Sequence, residues 1–415
     1  MSHFSYQDGV LGAESVPLTT IADVVGTPCF VYSRAALTDA FNAYTRAFAD
    51  TPPLVCYAAK ANSNIAILDL FARLGSGFDI VSGGELARVL AAGGSSERVV
   101  FSGVGKSEAE MRFALEHGIL CFNVESPSEL ERLNRVAAQM KKVAPVSFRV
   151  NPDVDSGTHP YISTGLKENK FGIPHGDALA LYLSARRLSN VRIVGIDCHI
   201  GSQITQLAPY VDALDRILDL VIRLERQGIA LEHIDLGGGI GIRYRDEQPL
   251  ALPAYARAIR DRMAARRERL ILEPGRSLVG NGGLLLTRIE YLKHGAAKHF
   301  AVVDAAMNDL MRPALYDAYH AVLPVKELAT AAPDVYDVVG PVCESGDFLA
   351  RDRNLAVAEG DLIAIMSAGA YGMSMSSNYN TRPRAAEVMA DGATWYVIRD
   401  REETPELFEH EHLLP

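Results

Sequence analysis

The run LVCYAA ends in Lys60, and an ammonium at the end of an apolar strand costs free energy unless a partner or a reaction uses it. An amine in that position can pair with an acid such as Asp79, or it can form a Schiff base with a carbonyl compound. Three later runs also lead into candidate site residues. IVGIDCH ends in His199 and is followed by Gly201 and Ser202. HIDL runs into Gly237, Gly238, Gly239, Ile240 and Gly241, and four glycines in five positions let backbone amides approach a ligand closely. In a loop after a strand, that pattern reads as a cradle for phosphate. LILE ends in Glu273 and continues through Gly275 to Arg276, an acid and a cation that either pair with each other or serve two ends of one ligand.

Residues spread from 60 to 276 can meet only if a fold gathers the ends of their strands. Eight β-branched runs, at 54–59, 78–81, 98–102, 120–124, 146–150, 193–199, 233–236 and 270–273, alternate with amphipathic stretches of helical length. In ESPSELERLNRVAAQM, Ser126 or Ser128 can cap a helix whose Leu130, Leu133 and Val136 form one stripe. The spacing of about 27 residues per unit suits an α/β fold of the closed (β/α)8 TIM type, whose active sites lie at the C-terminal ends of the strands. An open doubly wound sheet is the competing topology. The barrel is placed at 46–277. Runs such as HFAVVDA, DVYDVVGPV, DLIAIMS and TWYVIRD then predict a mostly-β domain over 278–415. The segment 1–45 carries a further strand, CFVY, expected to pack on that β domain.

Composition narrows the partners. Lys+Arg 41 against Asp+Glu 51 gives a net charge of −10, which argues against a nucleic-acid surface. No apolar run approaches the ~18 residues of a membrane span, and the start lacks the pattern of a secretory signal. Cys29, Cys56, Cys121, Cys198 and Cys343 are scattered and odd in number, as expected of a reducing, cytoplasmic compartment, and no metal is expected.

A strand-end lysine, a strand-end histidine, a phosphate loop and a strand-end carboxylate together match the needs of pyridoxal 5'-phosphate: an amine, a ring-face neighbour, an anion site and a partner for the pyridine nitrogen. The chain resembles the fold-type III pyridoxal-phosphate decarboxylases, whose barrel is alanine racemase-like. The resemblance runs through FVYSRAAL (30–37), CYAAKANSN (56–64), FDIVSGGEL (78–86), FRVNPDVD (148–155), YISTGLKENKFGI (161–173), HIGSQI (199–204), DLGGGIGIRY (235–244), EPGR (273–276), MRPALYDAYH (311–320), GPVCESGDFLA (340–350) and SAGAYGMSMSSNYN (367–380).

The resemblance implies that Lys60 holds the cofactor covalently and that His199 stacks on its ring. Asp79, Ser202, Gly237, Gly238, Gly239, Gly275, Arg276 and Tyr371 are implied to bind it, with Glu273 on the pyridine nitrogen. Arg276, Arg312, Tyr316, Glu344 and Tyr371 are implied to meet the substrate. Cys343 is implied to reach the site of a neighbouring subunit in a homodimer with composite active sites. The expected reaction is decarboxylation of meso-diaminopimelate to L-lysine and carbon dioxide. That substrate carries a carboxylate and an ammonium at its distal end, which suits arginines together with an acid. A decarboxylase of ornithine or arginine, a racemase and a cofactor carrier without turnover are the competing functions.

Overall fold

The computed structural model describes residues 3–155, 170–327 and 332–415. Of the motif at 161–173, residues 161–169 lie outside the described residues. The chain divides into two compact units. A barrel unit comprises Ala40–Ile242 and Gln248–Ser277, and a β unit comprises Met1–Asp39, Arg243–Glu247 and Leu278–Pro415.

Eight parallel strands close the barrel: Leu54–Ala58, Gly77–Ile80, Val99–Phe101, Cys121–Val124, Ala144–Asn151, Val191–Asp197, His233–Asp235 and Arg269–Leu272. Closure comes from pairing of the fourth strand with the fifth and of the eighth with the first. All eight runs expected from sequence are strands, and the barrel prevails over the open sheet.

The helices begin where short polar side chains can satisfy free amides. Asn64, Ser82, Ser107 and Ser126 each cap a helix, and Glu110 completes a capping box with Ser107. In Pro127–Gln139 the cap is Ser126, and Leu130, Leu133 and Val136 are buried.

Period-two alternation sorts the barrel interior into layers. The lower layer is apolar: Leu54, Cys56, Val100, Cys121, Val194 and Ile271 pack together. His233 sits at this level beside Gly195, its register partner, where an added Cβ would lie 2.0 Å from the imidazole. Burial lowers the His233 pKa to about 4, so the ring is neutral. Two residues onward, at the top of the same strands, the side chains become charged: Asp197 stands in register with both Asp235 and Arg149.

The β unit is built around the twelve-residue strand Gly283–His294. It pairs with His299–Val303 along one half and with Cys29–Ser33 and Leu362–Ile365 along the other. Cys29–Ser33 also pairs in parallel with Ala386–Asp391, so an N-terminal strand lies inside the sheet rather than at its edge. Leu284, Leu286, Val31, Val388 and Ala364 form the centre of its core. No helix among the described residues is long and apolar enough to cross a membrane.

Candidate active site

Lys60 lies in a single helical turn, Ala59–Ala61, immediately after the first barrel strand. Its Nζ is 2.8 Å from Oδ2 of Asp79, a fully buried residue at the top of the second strand. The lysine side chain is 35% exposed, so this buried carboxylate holds an amine that solutes can reach. The ion-pair reading of Lys60 is met by Asp79, and the pair positions the amine.

His199 follows the sixth strand rather than ending it. Its Nδ1 accepts a hydrogen bond from the Gly238 amide at 3.2 Å, which fixes the ring against the glycine loop. Burial, then the positive charges of Arg149 and Lys60, push its pKa well below the ordinary value, so the imidazole is neutral.

The glycine loop is dictated by close approach. A Cβ on Gly238 would lie 2.0 Å from the Glu273 carbonyl oxygen, and one on Gly239 2.3 Å from that of Gly201. Gly237 and Gly239 have φ of 62° and 101°, conformations that favour glycine. The Gly237 amide donates to Asp235 Oδ1 at 2.8 Å and the Gly238 amide to His199, while no described residue accepts from the Gly239 amide. Of the three amides read as a phosphate cradle, two thus already support the acid and the imidazole.

Ser202 Oγ accepts from Arg276 Nη2 at 3.0 Å and from Nε at 3.3 Å, so a hydroxyl and a guanidinium converge beside that loop. Gly275 lets this turn approach the first strand, because a Cβ there would lie 3.1 Å from the Cβ atoms of Ala58 and Ala61.

Glu273 is 5% exposed, and its Oε1 is buried without a hydrogen-bond partner. Sequence reasoning missed its neighbours. Asp197 and Asp235 lie at 1% and 0% exposure, and one carboxylate oxygen from each lies within 4.8 Å of those of the other two acids. Their signal was present as Asp within IVGIDCH and HIDL, at strand positions where an acid is costly. Burial first, then mutual repulsion, raises Glu273 and Asp197 well above the carboxylate range; burial raises Asp235 to about 7. Arg149, also missed, pairs with Glu125 at 3.3 Å.

These residues fit pyridoxal phosphate. Two described cations at the rim already have acids, Asp79 for Lys60 and Glu125 for Arg149, leaving Glu273 a carboxyl for which a pyridinium nitrogen would supply the opposite charge.

The β unit holds the other expected residues. Arg312 and Tyr316 lie on the short helix Arg312–Tyr316. Arg312 Nη1 donates to His320 Nε2 at 2.9 Å, and its guanidinium lies 4.7 Å from the centre of the Tyr244 ring. Because arginine has no acceptor, His320 must carry its proton on Nδ1, which donates to the Met366 carbonyl at 2.8 Å. Asp309, three residues before Arg312, accepts from the Ala306 amide and from Asn308.

Cys343 and Glu344 stand exposed on one turn, held by buried Asp347, which accepts from the Met307 and Val342 amides. The Cys343 amide donates to Asn380 Oδ1 at 2.9 Å, and Tyr379 donates to Glu344 at 3.2 Å. Tyr371 follows the strand Leu362–Ile365 at φ 57°, a left-handed conformation rare for a tyrosine.

Residues 34–280 match the pyridoxal-binding domain of the pyridoxal-dependent decarboxylases. The chain is 61% identical to the diaminopimelate decarboxylase of Pseudomonas aeruginosa over 415 residues, covering all of both chains. A crystal structure of diaminopimelate decarboxylase from Helicobacter pylori complexed with L-lysine superposes with a TM-score of 0.91 at 42% identity, covering 95% of this chain and 99% of that one. The enzyme from M. jannaschii in co-complex with L-lysine gives a TM-score of 0.94 at 39% identity, covering 99% and 98%. The chain therefore belongs to the pyridoxal-dependent decarboxylases and, within them, to the diaminopimelate decarboxylases.

Proposed function

We propose that this chain removes one carboxyl group from meso-diaminopimelate, giving L-lysine and carbon dioxide, with pyridoxal 5'-phosphate held at the barrel rim. The observation that carries the reading is the rim itself. One accessible amine, one neutral imidazole, a glycine loop with a serine and an arginine, and a buried acid lacking a cation stand at the ends of strands one, six, seven and eight. Whole-length similarity to diaminopimelate decarboxylases supports the substrate.

When bound, the cofactor supplies a ring that absorbs the electron pair left as carbon dioxide departs. Lys60 holds it covalently. Glu273 keeps a proton at the ring nitrogen. His199, being neutral, lies against the ring without adding a second positive charge. Ser202, Arg276, Gly275 and the glycine loop take the phosphate. Asp79 orients the amine.

From the β unit, Arg312, Tyr316 and Tyr371, with Arg276, engage the substrate's distal carboxylate, and Glu344 accepts from its distal ammonium. Cys343 returns a proton to the carbon that lost carbon dioxide, acting in the site of the other subunit of a homodimer. We place the enzyme in the cytoplasm. Residues 46–277 form the cofactor domain and 278–415, together with 1–45, the β domain.

Purified protein supplied with the cofactor should release carbon dioxide from meso-diaminopimelate and turn over ornithine, arginine and lysine negligibly. An ornithine chain brings no distal carboxylate for Arg312 and Arg276 to engage. Comparable turnover of ornithine and meso-diaminopimelate would overturn the substrate assignment.

A further inference from the structure

DLGGGIGIRY ends in Tyr244 and MRPALYDAYH ends in His320, two aromatic residues that none of the roles above uses. Both belong to the β unit, and both lie against Arg312. His320 is fully buried, and its backbone is tied on two sides. The Arg353 guanidinium donates to its carbonyl oxygen at 3.1 Å, and the carbonyl of the next residue, Ala321, accepts from the Met366 amide at 2.8 Å. From there Val322 continues in register with Ile365. The ring is anchored in turn, because Nδ1 donates to the Met366 carbonyl. The imidazole cannot turn or change tautomer without breaking that bond.

Tyr244 is fixed by different means. Glu247 accepts from the Tyr244 and Arg245 amides at 2.9 and 2.8 Å and so closes a turn, while Asn281 donates to the Arg243 carbonyl at its start. The Tyr244 and His320 rings meet in a T-shaped arrangement, with centres 5.3 Å apart and planes at 76°. The Tyr244 ring also lies 4.7 Å from the Arg312 guanidinium, a cation–π contact. One arginine is thus held from two directions, by that ring and by His320 Nε2, which accepts from Nη1 at 2.9 Å. Neither of these partners is an acid. An accepting imidazole and an aromatic face fix a guanidinium and leave its charge uncancelled, whereas a carboxylate in the same place would compete with an anionic ligand.

We propose that His320 is a positioning residue of the substrate site, pinning Arg312 over Tyr244 so that the guanidinium meets the substrate's distal carboxylate already oriented. The inference rests on the reading of Arg312 as a grip for that carboxylate, and it goes further in naming what holds the grip. A mobile arginine side chain loses rotamer freedom when it closes on a carboxylate. One pinned beforehand does not lose it again, so the pinning strengthens binding without touching the carbon that reacts.

The test compares two substitutions in the full chain loaded with pyridoxal phosphate. In His320→Gln the amide oxygen can stand where Nε2 stands and accept from Arg312. In His320→Asn the amide nitrogen can stand where Nδ1 stands and donate to Met366, but the side chain is too short to meet Arg312. His320→Asn should raise the Michaelis constant for meso-diaminopimelate about tenfold, with kcat and cofactor affinity changed far less, and His320→Gln should recover most of that loss. On an Arg312→Ala background His320→Asn should add no further rise, because the residue it acts through is gone. Equal Michaelis constants in the two single variants, additive effects in the double variant, or damage confined to kcat or to thermal stability would each overturn the proposal.

A second measurement needs no substrate. In the unmodified protein the Arg312 guanidinium, identified by the loss of its nitrogen-15 signal in Arg312→Ala, should rotate slowly, and His320→Asn should release it while His320→Gln does not. A freely rotating Arg312 in the unmodified protein overturns the proposal even if no His320 variant folds. An unchanged Michaelis constant in Arg312→Ala would instead remove the reading of Arg312 as the carboxylate's grip, and the nitrogen signal would still show whether His320 holds the guanidinium.

Discussion

At the barrel rim Asp197, Asp235 and Glu273 are sealed from solvent and crowd one another, whereas Cys343 and Glu344 in the β unit stand open on a turn. In the barrel, eight strands from separate parts of the chain fix the neighbours of each group, and desolvation sets its charge. In the turn, Asp347 is the buried acid. It accepts two backbone amides, and the reactive side chains project away from it into water. The barrel therefore tunes protonation, and the turn presents its side chains to solvent.

Lys60→Ala should break the comparison most severely, because it removes the amine the rim is built to hold. We expect turnover to vanish, and borohydride should fix the cofactor to the peptide containing Lys60 in the unmodified protein; label on another lysine would refute the assignment. On the proposed homodimer with shared active sites, mixing Lys60→Ala with Cys343→Ala under conditions of subunit exchange should restore part of the activity, because one site per heterodimer would keep both residues.

Arg312→Ala comes next. Losing a charge-assisted bond to substrate costs about 1.5–3 kcal/mol, so the Michaelis constant for meso-diaminopimelate should rise roughly ten- to a hundredfold while cofactor affinity changes little. A loss of thermal stability with an unchanged Michaelis constant would restrict Arg312 to its contacts with His320 and Tyr244.

Thiol chemistry sharpens the contrast between the two regions. Cys343 is exposed and the other four cysteines are buried, with Cys29 pushed up to about 12 and Cys56, Cys121 and Cys198 also raised by burial. An alkylating reagent at neutral pH should therefore modify Cys343 alone and reduce activity in step. Early labelling of a barrel cysteine would contradict the sealed rim.

The smallest effect concerns Glu85, which burial raises to about 7 although its Oε2 accepts from the Val81 amide. A carboxyl raised on folding contributes stability that is full below its unfolded pKa and lost as pH rises through the folded value. Glu85→Gln keeps the acceptor and removes the charge. The variant should gain on the order of 1 kcal/mol relative to the unmodified cofactor-free protein on going from about pH 5 to about pH 8, after allowing for partial solvent screening. Parallel unfolding curves across that range would show that Glu85 does not titrate on folding.

Much of the barrel was legible because β-branched runs and helical stripes recur with one spacing, and each expected run overlaps a strand. The boundaries were softer: the fifth run, 146–150, extends to Ala144–Asn151, and His199 lies beyond its strand. Lys60, His199, Glu273 and the glycine loop were legible because each breaks an apolar run. Asp197 and Asp235 break their runs as well, yet their meaning depends on register between strands, which no local pattern encodes. The glycines offered a local reason, amides for an anion, but Gly238 and Gly239 also answer to carbonyl oxygens of residues distant in sequence. CFVY could be read as a strand, while its two neighbours in the sheet, Gly283–His294 and Ala386–Asp391, could not.

That last strand bears on how the molecule is made. As the chain leaves the ribosome, Cys29–Ser33 emerges before any barrel strand, yet its antiparallel neighbour follows the whole barrel and its parallel neighbour lies close to the C-terminus. Residues 40–277 can close on themselves during synthesis, since domains fold as units in the order they emerge. The early β segment must meanwhile remain unpaired, with an apolar face that nothing yet covers. Aggregation of nascent chains, and their demand for chaperones, should thus concentrate in the interval between completion of the barrel and arrival of Ala386–Asp391.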